Sequence, residues 1–357
     1  MNQKILYVGA FCLPDKNAAA QRVLGIAKGF SHHGYEVMFL NYSDEATSAV
    51  WKDYFGFKCY ELPKRSRFKH LTDINDVKNL VKLHGITAVI AYNYPAYALN
   101  KLIRFCRKNS LRCYADVTEW PVTQRGVVRV VARTLDTAWR MRILHKKMDG
   151  IIVISEFLFQ YYRDTVRTVK IPPTVDLSDV KWTKKVESLT KTDITFIYAG
   201  SPSAQKECLD IIVQAIEDVR KKRDVSLKVV GITQRQYESI YSKKYTGTAV
   251  TFMGHMPHKD TILEITQADW SIIIRENNRV VQAGFPTKLA ESIACGTPVL
   301  VNKFSNIDDY LDEDNSIHCE MNSVSDAIKR TCNVVMNVDR SRFDYRNYLD
   351  EIEELMT

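Results

Sequence analysis

The chain lacks the sequence marks of several protein classes. Its eight cysteines include no CxxC pair and no histidine partner at zinc-site spacing, which argues against a structural zinc centre and a disulfide scaffold. No apolar run approaches the ~20 residues that a membrane-spanning helix needs. The opening MNQKILYVGAF also lacks the charged and then apolar regions of a secretory signal. We therefore expect a protein of the reducing cytoplasm, whose association with a membrane can only be peripheral.

The composition fits a globular protein with an anionic partner. The 357 residues are 45% hydrophobic, which allows two domains, each with a sizeable core. The net charge of +8 suits an anionic ligand or an anionic surface. No nucleic-acid-binding module is recognisable, so we expect no nucleic-acid partner.

Short apolar segments alternate with longer amphipathic ones, which is typical of parallel sheets with crossover helices. The predicted strands are KILYVGA, EVMFLNY, FKCYEL, ITAVIAYNY, LRCYADV and GIIVIS, then DITFIYAG, SLKVVG, VTFMGH, WSIIIR, PVLVN and SIHCE. Helices are predicted between most of them, including residues 18–33, 73–83, 96–108, 123–147 and 204–222. The prediction is an α/β protein with two Rossmann-like, doubly wound parallel-sheet domains that face a central cleft.

The domain boundaries follow from composition. Pro172 and Pro173 end the first half, because proline cannot continue a helix or a central strand. We predict a first domain over residues 1–173, a polar, lysine-rich linker over 174–193 and a second domain over 194–336. The remaining residues, 337–357, are predicted to form a charged tail that ends in a helix.

The stretch GFPTKLAESIACGTPVLV, residues 284–301, predicts a turn, a helix, a second turn and a buried strand. The first N–H groups of a helix lack intrahelical partners and carry partial positive charge, so they can bind an anion. Thr287 and Lys288 fall in the first helical turn. Glu291 follows one turn later and can accept hydrogen bonds from two neighbouring hydroxyls. A phosphate and a diol at that separation indicate a nucleotide.

This segment resembles the donor-site signature of the retaining glycosyltransferases with two Rossmann-like domains, the GT-B type of family 4 and its relatives in bacterial surface-polysaccharide assembly. The resemblance rests on GFPTKLAES and ACGTPV. It implies that Glu291 binds the ribose of a nucleotide-sugar donor, UDP-linked rather than GDP-linked. It also implies that the first turn surrounds the distal phosphate through Gly284, Phe285, Pro286, Thr287 and Lys288. The plainer alternative for Glu291 is a surface glutamate.

Two further positions carry the resemblance only in part. The family usually has an arginine directly after the glycine of the turn that follows the second domain's first strand, but this chain has Gly200 followed by Ser201. Gly200 and Lys206 carry over as donor-binding residues, with Lys206 as a diphosphate ligand unless it is simply a solvated lysine. Arg275 ends the predicted strand SIIIR and is predicted to supply the missing charge, the alternative being a surface ion pair with Glu276.

The first domain is expected to hold the acceptor. Asp116 and Glu119 follow the strand LRCYA, and carboxylates there can orient sugar hydroxyls or act as a general base. We predict both as catalytic residues, with an N-cap as the alternative for Asp116. The family's sugar-side glutamate would stand at Ala283, so that residue has no counterpart here.

Residues 124–147 are rich in arginine and lysine interspersed with apolar residues, and a second basic cluster covers residues 64–69. A basic amphipathic helix can lie on an anionic membrane. The alternative is that its apolar side packs on the first sheet while its charges are solvated. We predict that segment 124–147 binds the inner face of the cell membrane.

The resemblance implies a glycosyltransferase that moves a hexosyl group, with retention, from a nucleotide sugar to a lipid-linked glycan in polysaccharide or wall-polymer synthesis. Positioned charges would stabilise the departing diphosphate, and we predict neither a metal nor another cofactor. Two alternatives stay open. One is a sugar-nucleotide epimerase of the same fold. The other is a non-catalytic homologue that binds a donor or a partner enzyme, which the departures at Ala283 and Ser201 keep open.

Overall fold

A computed structural model of the chain describes residues 3–14, 16–121, 127–182, 193–202, 206–304, 306–332 and 334–357. The chain forms two compact units. The first contains Met1–Thr174 and Tyr345–Thr357, and the second contains Val175–Asp344. The chain therefore leaves the first unit once, completes the second and returns to the first.

The first unit is built on an eight-stranded sheet in the order β3-β4-β2-β1-β5-β6-β7-β8. All neighbouring strands are parallel except the β3–β4 pair. The strands are β1 (Lys4–Gly9), β2 (Glu36–Ser43), β3 (Val50–Tyr54), β4 (Phe57–Pro63), β5 (Ala88–Tyr92), β6 (Arg112–Val117), β7 (Gly150–Val153) and β8 (Thr168–Lys170).

The second unit is built on a six-stranded, fully parallel sheet in the order β11-β10-β9-β12-β13-β14. Alternate residues of its first strand enter two different cores: Phe196 and Tyr198 lie on one face, and Ile197 and Ala199 lie on the other. The strands are β9 (Ile194–Ala199), β10 (Val225–Val230), β11 (Val250–Gly254), β12 (Trp270–Ile273), β13 (Val299–Asn302) and β14 (Ser316–Cys319).

Helices cover both faces of each sheet. They are α1 (Ala18–His32), α2 (Arg67–Thr72), α3 (Asn75–His84), α4 (Ala96–Lys108), α5 (Val127–Trp139), α6 (Glu156–Tyr162), α7 (Leu209–Arg220), α8 (Gln234–Tyr241), α9 (His258–Gln267), α10 (Arg279–Ala283), α11 (Thr287–Cys295), α12 (Val324–Thr331) and α13 (Leu349–Met356). A wider π turn, Arg140–Leu144, and a 3₁₀ turn, His145–Lys147, continue α5. Other 3₁₀ turns lie at Val180–Trp182, Asn306–Tyr310, Arg340–Phe343 and Tyr345–Tyr348.

The last helix, α13, completes the first unit. A Cβ atom at Gly29 would lie 2.2 Å from Cδ1 of Ile352, and one at Gly150 would lie 2.7 Å from Cδ1 of Leu355. These glycines therefore let α13 approach α1 and β7 more closely than any other residue would. The sequence predicts this helix but not its partner.

The predicted α/β fold class, with two parallel Rossmann-like sheets, is confirmed. The strands β3 and β8 were not predicted. Within the predicted linker, Val175 and Trp182 are buried in the second unit, so the structure changes unit at Thr174–Val175, and residues 183–192 lie outside the described chain. The helix predicted over 123–147 ends earlier as a regular helix, at Trp139.

Candidate functional site

The carboxyl edge of the second sheet has a switch point at β9. The next strand in the chain, β10, lies on one side of β9, whereas β12 lies on the other. Ligands of doubly wound sheets bind at such points. Gly200 follows β9 directly, with φ +132°, and a Cβ there would meet Cε of Lys288 at 3.5 Å. The predicted turn at Gly200 therefore lies beside the predicted helix start.

Two short segments, residues 206–208 and residues 274–276, run side by side at this edge. The Cys208 amide donates to the Ile274 carbonyl at 3.0 Å, and the Glu276 amide donates to the Lys206 carbonyl at 3.1 Å. The backbone of Arg275 is held from its other side by Asn302, through two hydrogen bonds of 2.8 Å. Glu207 and Arg275 are thus fixed opposite each other by main-chain hydrogen bonds.

The side chains of Glu207, Arg275 and Lys288 form a buried charged cluster. Arg275 donates to Oε1 of Glu207 from Nη2 at 2.6 Å and from Nε at 3.1 Å, and Nζ of Lys288 lies 3.7 Å from the same oxygen. The Lys288 ammonium also lies 3.8 Å from the ring centre of Tyr198. Two cations around one carboxylate leave a net positive charge, which suits an anion.

Burial lowers the pKa of Lys288 to about 8, because an ammonium loses its hydration there. Glu207 opposes this shift and Arg275 adds to it. The alternative in which Arg275 pairs with Glu276 at the surface does not fit, because Arg275 is buried and bonded to Glu207. Glu207 was not predicted. Its partner Arg275 is 68 residues away in the chain, and no local spacing signals such a pair.

The helix α11 begins as predicted, with Thr287 and Lys288 in its first turn and Glu291 one turn later. Among the described residues, no side chain caps its start, where Pro286 occupies the N-cap position. Phe285 packs edge-on against Tyr310 and Phe343, with ring centres at 5.3 and 5.9 Å. This contact gives Phe285 a packing role that supports the turn.

Glu291 is held by a histidine that the sequence analysis missed. Its Oε1 lies 3.0 Å from Nε2 of His258, and only 14% of its side chain is exposed. The ring of Trp182 lies edge-on to His258 at 6.1 Å. Glu291 is therefore an oriented, mostly buried carboxylate rather than a solvated one.

The structure shows fewer contacts for Lys206 and its neighbours than for Arg275 and Lys288. Lys206 is half-buried and its carbonyl joins the main-chain contact with Glu276, while residues 203–205 lie outside the described chain. Ser201 is exposed, and Gly284 has an extended backbone with φ −94°. In the described part of the chain, no three His, Cys, Asp or Glu side chains cluster as a metal site would require.

In the first unit, Asp116 is fully buried in an ion pair. Arg22 approaches Oδ1 at 2.8 Å through both Nε and Nη2, and the Tyr7 hydroxyl donates to Oδ2 at 2.6 Å. Arg22 also donates to the Ile171 carbonyl at 2.8 Å. Both oxygens of Asp116 are thus engaged within the core. These contacts give Asp116 a structural role in the core, and its predicted catalytic role stays a prediction.

Glu119 remains accessible at the carboxyl edge of the first sheet. Its side chain is 40% exposed and lies 3.9 Å from Nη2 of Arg133. Nearby, the side-chain amide of Asn93 donates to Oγ1 of Thr118 at 2.6 Å, and the backbone N–H of Thr118 donates back to Oδ1 of Asn93 at 3.2 Å. These bonds tie the ends of β5 and β6 together. Of the two predicted catalytic carboxylates, Glu119 is the one that a ligand can reach.

The predicted membrane segment, 124–147, is exposed along α5. Val131 and Leu135 are 52% and 65% exposed, and Arg129 and Arg133 are exposed on the other side of the same helix. Arg140 instead is buried, and it donates to the carbonyls of Asn93 and Tyr94. Residues 124–126, including Arg125, lie outside the described chain.

Of the helices in the described parts of the chain, none combines the length and apolar character needed to cross a membrane.

Residues 180–350, just under half of the chain, match the family model "Glycosyl transferases group 1". No curated protein is similar enough in sequence to match. Sucrose-phosphate synthase from Thermosynechococcus elongatus has a similar structure, with a TM-score of 0.76 and 15% identity over 99% of this chain and 98% of that one.

Two other solved structures are similar over nearly their whole length. Anabaena HepE, in complex with UDP and glucose, has a TM-score of 0.69 and 14% identity over 99% of both chains. WaaG, a glycosyltransferase involved in lipopolysaccharide biosynthesis, has a TM-score of 0.61 and 14% identity over 97% of this chain and 95% of that one. The chain thus has the GT-B fold, and residues 180–350 carry the sequence pattern of the group 1 glycosyl transferases.

Proposed function

We propose that this protein is a retaining glycosyltransferase that moves a hexosyl group from a UDP-sugar to a lipid-linked glycan in bacterial polysaccharide or wall-polymer synthesis. The observation that carries the proposal is the pair of buried cations, Arg275 and Lys288, at the start of α11, with Glu291 one turn further along that helix. The match of residues 180–350 to group 1 glycosyl transferases supports it. The complex of HepE with UDP and glucose supports a uridine donor.

The proposed roles follow the charges of the second unit. Arg275, Lys288 and Lys206 would bind the diphosphate, and the free N–H groups of α11 would bind the distal phosphate. Glu291, oriented by His258, would accept hydrogen bonds from the ribose hydroxyls. When the glycosidic bond breaks, negative charge grows on the departing diphosphate, and fixed cations stabilise it without reorganising. These groups supply that stabilisation without a metal.

The first unit would bind the acceptor. Glu119 is the accessible carboxylate there, and it would orient an acceptor hydroxyl or accept its proton. Asp116 would contribute only through the packing of β6, because both of its oxygens are engaged.

We also propose that α5 docks the enzyme on the cytoplasmic face of an anionic membrane. The observation that favours this is the exposure of Val131 and Leu135, four residues apart on one helical face, together with the exposure of Arg129 and Arg133 on the other side of the same helix. A helix of this kind inserts its apolar side chains at the headgroup boundary, and the positive charge of its arginines attracts it to anionic lipid from a distance of about a Debye length. Docking would bring the enzyme to an acceptor carried on lipid.

The test begins with thermal shifts for UDP, GDP, their sugar conjugates, ATP and pyrophosphate. A ligand that binds only the folded state raises the melting temperature, and we expect the uridine series and pyrophosphate to do so. Glu291→Ala should weaken UDP by roughly 10–100-fold, since charged hydrogen bonds contribute about 1.5–3 kcal/mol, and should leave pyrophosphate binding unchanged. Equal loss for both ligands would remove Glu291 from the ribose.

Turnover separates the three candidate functions. A glycosyltransferase releases UDP and yields a product whose anomeric configuration, read by NMR, equals that of the donor. An epimerase changes the UDP-sugar without releasing UDP. Binding without any conversion across donors and membrane-extracted acceptors would favour the non-catalytic homologue and contradict the proposal.

A further inference from the structure

We infer that Glu207 is a positioning residue whose carboxylate holds Arg275 and Lys288 side by side as a single anion-binding pair. The inference rests on the proposed donor site and adds to it a residue that does not itself bind the nucleotide. Glu207 is 94% buried, and its three contacts with the two cations converge on Oε1.

The main chain leaves Glu207 little freedom to move. Its neighbours Lys206 and Cys208 are bonded to the 274–276 segment, and the Tyr241 hydroxyl donates to the Glu207 carbonyl at 2.9 Å. The carboxylate is therefore delivered to one place at the edge of the sheet. Because its own backbone is fixed, Glu207 determines where the side chains of Arg275 and Lys288 lie.

The charges explain why a carboxylate belongs in a site for anions. Arg275 and Lys288 would repel each other if they were buried together without a counter-ion. Glu207 offsets one of the two charges, which keeps both side chains in place before a ligand arrives. The cluster still carries a net positive charge for the diphosphate.

The same contacts make the pKa of Lys288 depend on the charge of Glu207. The charged and titratable groups that face Lys288 are Glu207 and Arg275 from the neighbouring segments, Tyr198 from β9 and Glu291 from α11 itself. With its pKa lowered to about 8, Lys288 loses its proton above that pH. A diphosphate binds the protonated amine, so affinity stays level below the pKa of the free enzyme and falls above it. Without the carboxylate, that fall begins at lower pH.

The experiment is calorimetric titration of the full-length protein with UDP between pH 7.5 and pH 9, where the charge of UDP changes little because the second pKa of its terminal phosphate is about 6. In the unaltered protein, affinity should fall by up to about tenfold per pH unit above about pH 8. Glu207→Gln keeps the shape and an acceptor oxygen but removes the charge. We expect its fall to begin at least about half a pH unit lower.

The matched control is Glu264→Gln in the same unit, where a partly buried glutamate pairs with Lys228 at 2.6 Å, and its profile should equal that of the unaltered protein. Lys288→Arg should give a level profile, because arginine stays charged. Should Glu207→Gln fail to fold, Glu207→Asp replaces it. Aspartate keeps the charge but places it farther from Lys288, so the fall should begin at a lower pH than in the unaltered protein.

Each result decides one question. A Glu207→Gln profile that superimposes on that of the unaltered protein, or that weakens equally at every pH, would overturn the inference and leave the donor site standing. So would a Lys288→Arg variant that keeps the alkaline fall. If the unaltered protein fails to bind UDP at any pH, the proposed function itself fails.

Discussion

Carboxylates in the two units differ in what surrounds them. Asp116 lies near the carboxyl end of β6 and Glu291 lies in the first half of α11. Both were predicted to face a ligand. Asp116 meets an arginine and a tyrosine inside the core, whereas Glu291 meets a histidine near the start of α11. The same chemical group therefore belongs to a core ion pair in one place and to the proposed donor site in the other.

We predict that Asp116→Asn destabilises the first unit by about 3–5 kcal/mol, because Arg22 would be left as a buried, unpaired charge. Thermal unfolding monitored by circular dichroism would measure the loss of stability. The control is Glu119→Gln, whose exposed contact with Arg133 at 3.9 Å should contribute less than about 1 kcal/mol. An Asp116→Asn variant with normal stability and no turnover would instead restore the catalytic role.

Residue spacing predicted Thr287, Lys288 and Glu291 correctly on α11, because a helix start and a one-turn separation are local properties of a sequence. It could not find Glu207 or His258. These side chains matter through partners 68 and 33 residues away, and only the folded sheet brings them together. The residues whose position depends on local helix geometry were predicted, and those whose role depends on packing between distant elements were not.

At the scale of elements, buried parallel strands were easy to predict, whereas β3 and β8, the two edge strands of the first sheet, were not. The central strands are nearly continuous apolar runs, since helices cover both faces. The strand β3 is mostly exposed, with the burial of a surface hairpin, and β8 has only three residues. Neither leaves an apolar run in the sequence.

The helix α5 shows a second limit of element prediction. Amphipathic spacing marks residues 124–147 as basic and apolar, but it does not say which arginines face water. Arg129 and Arg133 do, whereas the π turn after Trp139 carries Arg140 inward to the carbonyls of Asn93 and Tyr94. Only the outward arginines are available to a membrane.

We predict that replacing Arg129 and Arg133 together by glutamine weakens binding to phosphatidylglycerol vesicles by roughly 30-fold, since each basic residue contributes about 1 kcal/mol at such a surface. Co-sedimentation at low salt measures this. Lys221→Gln with Lys222→Gln, two exposed lysines beside α7, is the control and should bind as before. If the α5 variant sediments as strongly as the control, the docking face is wrong.

At the scale of the whole molecule, the residues proposed for the donor and those proposed for the acceptor and the membrane lie in different units. The cations and the glutamate of the proposed donor site lie in the second unit, and Glu119 and α5 lie in the first. The second unit is one continuous segment of the chain, Val175–Asp344. The first needs residues from both ends of the sequence.

We predict that Leu355→Ala destabilises the first unit by about 2–5 kcal/mol, because it leaves a cavity beside Gly150. UDP binding in the second unit should be unchanged, as calorimetry would show. Leu263→Ala on α9, where the leucine is 54% exposed, makes the same deletion at the surface and should leave the melting temperature unchanged. Equal melting of the two variants would mean that α13 adds nothing to the first unit.

The return of the chain to its first unit has a consequence for biosynthesis. At about 5–20 residues per second, a ribosome needs roughly 10–30 s to make the second unit after Thr174. Throughout that interval the small-residue surfaces at Gly29 and Gly150 have no helix to cover them. The apolar surface of the nascent first unit therefore stays open to other chains until Leu349–Met356 has been translated and has packed against it.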